Sequence, residues 1–348
     1  MNKKKKYKYS QHSAQISRLS LFVIFSALLL FPGCAGSQKD NACEERPDIS
    51  AVQADWTFEP LHEEWKKQDS PESMKNFLSK HEVIAHGFFA RNEFPSEREM
   101  ADKAFELASN PHIDTLMMET GRIFGDLATL KNELDEAFRT MKYYFPDFQA
   151  PNVQTIVSGF NKDLYVSDTL VVVGLDYYLG EGAKFRPVNL PRYVTRRYAR
   201  EYIVPSIVLL LGSKYIDSDL GDRTMLADMM YYGKAFHLAQ KVLPCVPDSV
   251  LIGYTQEEIE GAEKHQDVIW ASLLQNEMLY ETSQKEKGRF MDERPKTLEI
   301  GPKCPGRVGR FMGWKIVNAL IEGQDKPFQQ VLKEKNAQKM LKKSRYKP

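Results

Sequence analysis

Residues 169–180 read Thr169-Leu-Val-Val-Val-Gly-Leu-Asp-Tyr-Tyr-Leu-Gly180. The β-branched run before Gly174 is too short and too uniformly apolar for a surface helix, and reads as a buried strand. Upstream, Val153-Gln-Thr-Ile-Val157 has the same character, with turn residues at Gly159-Phe-Asn161 and Ser167-Asp168 between the two. These runs predict a small antiparallel sheet.

Outward from the sheet, both flanks carry helical spacing. Ser70-Pro71 supplies an N-cap with proline in the first turn, and Ser96-Glu-Arg-Glu99 matches a capping box. Leu116, Ile123, Leu127, Leu130, Leu134, Phe138 and Met141 predict one long amphipathic helix from Ile113 to Tyr144, stopped by Pro146. Beyond the sheet, helices are expected over Tyr193–Leu211 (kinked at Pro205), Asp222–Val242, from the Thr255-Gln-Glu-Glu258 capping box to Tyr280, after Pro305-Gly306, and from Pro327. The fold class is therefore α+β, mainly α-helical, with helices packed on the small sheet.

The amino terminus carries a different signal. Lys3, Lys4, Lys5, Lys6, Lys8 and Arg18 precede the apolar run Leu19–Phe31, which is shorter than the roughly 20 residues that span a bilayer. A basic start and a short apolar run form a signal peptide, residues 1–33. Leu30-Phe-Pro-Gly-Cys34 resembles a lipobox, which implies diacylglyceryl and palmitate-type acyl chains on Cys34 after cleavage. Phe31 and Pro32 depart from the strictest pattern. Residues 34–55 are polar and aperiodic and read as the lipidated cysteine and a flexible tether, leaving 56–348 as one folded domain with no internal linker or repeat.

The first 33 residues hold six of the 48 basic residues and no acid, so the remainder has 42 bases against 47 acids. That mildly acidic body gives no electrostatic footprint for nucleic acid. In an exported, disulfide-permissive setting Cys245 and Cys304 could pair, with Cys43 as the odd cysteine in the tether.

Few residues suggest chemistry. The histidines of His81-Glu-Val-Ile-Ala-His86 are five apart, about 140° around a helix of about 3.6 residues per turn, so they share no face and read as plain helix surface. Asp176 and Tyr177 follow the most apolar strand: either a pocket acid or a strand-end carboxylate satisfied by backbone amides. Arg192 and Arg196, with Arg197, Arg200 and Glu201, crowd one segment: either a partner-binding groove or a solvated, salt-bridged face. There is no GxSxG, no phosphate loop and no Cys/His cluster. No cofactor and no metal are expected.

Read together, Val171–Gly180, Leu190-Pro-Arg-Tyr193, Ile203-Val-Pro205, Tyr231-Tyr-Gly-Lys234, Ile252-Gly-Tyr-Thr255, Pro305-Gly-Arg-Val-Gly309, Gly313-Trp-Lys-Ile-Val317 and Ser344-Arg-Tyr-Lys-Pro348 resemble, in this order, the GldB family of Bacteroidetes gliding-motility lipoproteins. The resemblance covers the chain from about residue 150 and, more weakly, the helices before it. It implies a non-enzymatic, envelope-anchored accessory component of gliding motility or of the linked type IX secretion system. With the lipobox, this places the protein in the cell envelope, attached through Cys34 to the inner or outer membrane on the periplasmic side, with other envelope proteins expected as partners.

A fainter likeness runs to predicted zinc proteases with an HExxH helix. Here Met230-Tyr-Tyr-Gly-Lys234 stands in that place, with a thioether and an ammonium where two imidazoles would bind zinc. The scaffold would then be a degenerate zincin-like one. The competing readings are a zincin-like hydrolase with other ligands, or a peptide or glycan binder in a pocket lined by Tyr177, Tyr231 and Tyr232.

Overall fold

A computed structural model describes Cys43, residues 46–187 and residues 190–348, all within the unit Asp40–Pro348. The expected signal peptide, Cys34 and the first part of the tether lie outside the described residues. No helix among the described residues is long and apolar enough to cross a membrane.

Four strands form one sheet: β1 (Phe58–Pro60), β2 (Asn152–Ile156), β3 (Leu164–Val166) and β4 (Leu170–Gly174), in the order β1-β2-β4-β3. The α+β, mainly helical class holds, but the antiparallel arrangement does not. β2 pairs parallel with β4 (Val153 opposite Val171), and β1 pairs parallel with β2. Ser167-Asp168 turns β3, not β2, back against β4, and that hairpin is the one antiparallel pair. β4 is thus central, which accounts for its uniformly apolar Val171, Val172 and Val173, all fully buried.

Before β2 come α1 (His62–Lys66), α2 (Pro71–Lys80), α3 (Glu82–Gly87), α4 (Glu97–Ala108), α5 (Pro111–Phe124) and α6 (Ala128–Tyr144). Ser70 and Ser73 cap α2 reciprocally. Ser96 accepts from the Glu99 amide to start α4. The single long helix expected over 113–144 is two. Gly125 and Leu127 both take positive φ (59° and 64°), and the Asp126 carboxylate receives the Ala128 amide to open α6.

After the sheet follow α7 (Arg192–Thr195), α8 (Ile203–Gly212), α9 (Met225–Val242), α10 (Asp248–Ile252), α11 (Gln256–Lys264), α12 (Gln266–Gln275), α13 (Gln284–Met291), α14 (Val308–Glu322), α15 (Phe328–Leu332) and α16 (Ala337–Ser344). The break in 193–211 falls before Ile203 and not at Pro205, which sits in the first turn of α8, where a missing N–H costs nothing. Thr224, held by Asp222, is the cap of α9. Helices α9 and α14 form the densest contact of the body. Gly233 and Gly313 face each other there, and a Cβ on Gly313 would drive into the Met229 carbonyl oxygen. Trp314 beside them is fully buried.

The tether reading fails for residues 46–55. Arg139 of α6 donates to the carbonyl oxygens of Val52 (2.8 Å) and Ile49, and Arg46 pairs with Glu136 at 2.9 Å. This lays the segment along α6 and brings Cys43 into a disulfide with Cys245. Cys43 is therefore not the odd cysteine. Cys304 is free, and burial pushes its thiol up to about 11.

Candidate functional site

The turn after β4, Leu175–Tyr178, places Asp176 in the interior with no exposed surface. Its carboxylate accepts the amides of Ser158 (3.2 Å) and Phe160 (2.6 Å). Gly159 and Phe160 both have positive φ, which folds successive N–H groups toward one anion. Burial pushes the carboxyl up to about 6, against the opposing pull of those amides. The Tyr177 hydroxyl donates to the Phe160 carbonyl at 2.7 Å, and Tyr198 closes on Asp163 at 2.8 Å. Asp176 and Tyr177 thus hold a strained loop in place: the strand-end carboxylate of the sequence analysis, met by backbone amides.

On α9, Tyr231 packs edge-on against Tyr232, whose ring lies under the Arg310 guanidinium at 4.1 Å. Lys234 is 2% exposed. Its Nζ donates to the carbonyl oxygens of Asp217 (2.5 Å), Leu332 (3.3 Å) and Glu334 (2.9 Å). Burial pushes this amine down to about 8. A lysine with three main-chain acceptors is a clamp: it ties α9 to the segment before it and to the end of α15. Tyr231 and Lys234 thus make contacts separate from those of Asp176 and Tyr177.

The arginine segment behaves differently. Pro191 opens α7, and the chain then turns twice before α8, so Arg192 and Arg196 face the loop between α10 and α11. A cleft of about 760 Å³ lies there, lined by Arg192, Tyr193, Arg196, Tyr202, Tyr254 and Glu181 among others. One lining residue, Arg196, joins an ion-pair network. Arg196 donates to Glu258 at 2.5 Å, and Lys296 reaches the other oxygen at 3.1 Å. Burial alone would raise the Glu258 carboxyl, but Arg196, the Thr255 amide and Lys296 hold it below its usual value. Arg197 grips Glu293 with two nitrogens, at 3.1 and 2.8 Å. Arg307, buried and pushed down to about 10, first by that burial and then by neighbouring Arg197, donates to the Gly253 carbonyl at 3.1 Å.

Gly253 has φ +71°, and a Cβ there would strike the Arg197 side chain. The Tyr254 hydroxyl donates to the Gly306 carbonyl at 2.7 Å, so its ring edge is fixed. Arg192 stands apart from this network: its side chain is 87% exposed, and its nearest acid, Glu181, is 3.8 Å away.

The structure thus unites Arg192 and Arg196 and separates them from Asp176, Tyr177, Tyr231 and Lys234. Tyr202 and Tyr254 also line the cleft, and Glu258 and Arg307 bond to Arg196 and Gly253; the sequence marks none of the four as a site residue. The signal for Glu258 was in view as a capping box, and it does both jobs, receiving the Thr255 amide at 3.0 Å as well as Arg196. Sequence spacing cannot show that Arg192 and Tyr193 meet Tyr254 and Thr255 at one cleft, nor that Gly306 and Arg307 bond to Tyr254 and Gly253.

No curated protein and no solved structure matches the chain. One family model does, described as gliding motility protein GldB, and it spans residues 42–348. It begins one residue before Cys43, in keeping with a body that includes the segment laid along α6. The chain belongs to this family, and is with it a gliding-motility-related lipoprotein of the cell envelope.

Proposed function

We propose that the protein is a non-enzymatic accessory component of gliding motility or of the linked type IX secretion system. Acyl chains on Cys34 hold it to a membrane on the periplasmic side, and it works by docking another envelope protein in the arginine–tyrosine cleft. One observation carries the docking: tyrosine and arginine, the residue types that dominate interface hot spots, line a concave surface. Arg196 is held by Glu258, so a partner would meet a side chain that needs little ordering. Arg192, still exposed, offers two-pronged recognition to an acidic group of that partner.

A hydrolase with its metal ligands on α9 is opposed by Met230 and Lys234, one packed in the core and the other spent on carbonyls. A peptide or glycan pocket built on Tyr177 and Tyr231 is opposed by the separate contacts of those two rings.

Deleting the gene and measuring colony spreading and cargo secretion tests the role. Loss of either is expected, and normal behaviour in both assays overturns it. A Cys34→Ser variant tests the anchor: it is expected to leave the membrane fraction.

A further inference from the structure

We propose that Glu59, Glu64 and His81 form a binding site for one divalent first-row transition-metal ion, with zinc as its reference occupant. Glu59 lies on β1, Glu64 on α1, and His81 at the junction of α2 and α3. One carboxylate oxygen of each glutamate and one ring nitrogen of His81 all lie within 4.8 Å of one another. None of the three belongs to the cleft.

The histidine makes this more than a pair of acids. It is not plain helix surface, as its sequence context suggested: it is 7% exposed, whereas His86 faces solvent. The buried Nε2 of His81 has no hydrogen-bond partner. Buried polar atoms are nearly always satisfied, and this unpartnered one belongs to an imidazole that stands in a cluster with two carboxylates. Phe77 packs on the ring at 4.8 Å and fixes its orientation.

The surroundings also suit a ligand. Glu59 is held by Gln154, whose Nε2 donates to Oε2 at 2.8 Å, in the manner of an outer-shell partner that orients a metal-binding carboxylate. Glu64 is exposed and shares one oxygen with Lys80 at 3.4 Å, a surface pair that an ion of higher charge would displace. Zinc–oxygen and zinc–nitrogen bonds are about 2.0–2.2 Å, so the donors must draw inward. The mobile arm is Glu64, once Lys80 lets go. One imidazole and two carboxylates make a borderline-to-hard donor set that accepts zinc or manganese, with water completing the shell. Bound metal would tie edge strand β1 to the α2–α3 pair.

Full-length protein in detergent, stripped with chelator and titrated with zinc chloride by calorimetry and thermal unfolding, tests this. The expected result is one saturable zinc per chain and a raised melting temperature. Glu64→Gln, an exposed substitution that leaves the metal-free melting temperature unchanged, should weaken binding at least about tenfold, and Glu59→Gln likewise. Absence of saturable binding overturns the site, as does zinc held by Glu64→Gln as tightly as by the natural protein.

Discussion

On α9, Lys234 is 2% exposed and gives its ammonium to three main-chain carbonyls. On α7, Arg192 is 87% exposed with one acid 3.8 Å away. Both cations stand in segments that carry the family resemblance, and their sequence surroundings rank them alike. The fold spends one on cohesion and leaves the other on a concave surface. The difference separates residues that make this body from residues that can meet another.

If that division is right, substitutions should sort by region. The largest cost belongs to the α9–α14 contact. Gly313→Leu forces a side chain into the Met229 backbone and should destabilise by about 3 kcal/mol or more in urea unfolding. Lys234→Met comes next: it strands partly buried carbonyl oxygens and should cost about 2–3 kcal/mol. A loss below about 0.5 kcal/mol, the scatter of ordinary surface substitutions, would deny the clamp.

Asp176 sharpens the comparison through pH. Folding raises its carboxyl from 3.8 to about 6, so between these values the folded state binds a proton that the unfolded chain does not. The natural protein therefore gains stability from this group as pH falls from 6 toward 4, and loses it as pH rises through 6. The amide of an Asp176→Asn variant cannot titrate. The deficit of that variant relative to the natural protein should therefore grow by about 2 kcal/mol between pH 7.5 and pH 4.5. A pH-independent deficit would contradict burial as the cause of the shift. The smallest stability effect is Arg192→Ala, within about 0.5 kcal/mol.

How much of this was legible follows the range of the forces. Helix starts set by local hydrogen bonds were read correctly at Ser70, Ser96 and Thr255, because a cap and its amide lie within three residues. The buried character of 169–174 and the satisfied role of Asp176 were also within reach of local pattern. What failed was pairing across distance. Two apolar runs cannot announce that they align in parallel, nor that β3 lies between them in the chain. The Cys43–Cys245 disulfide closes over 202 residues, and nothing near Cys43 signals it. The cleft is the same case: Arg196 finds Glu258 62 residues away, and Tyr254 finds Gly306.

Docking of a partner in the cleft is the function proposed for this protein. Its most direct test is a chromosomal Arg192→Glu substitution, which reverses charge on an exposed side chain while sparing the fold. With membrane-bound protein at its natural level, the account predicts loss of colony spreading and cargo secretion. Both at natural levels, with the reversed charge in place, would contradict it.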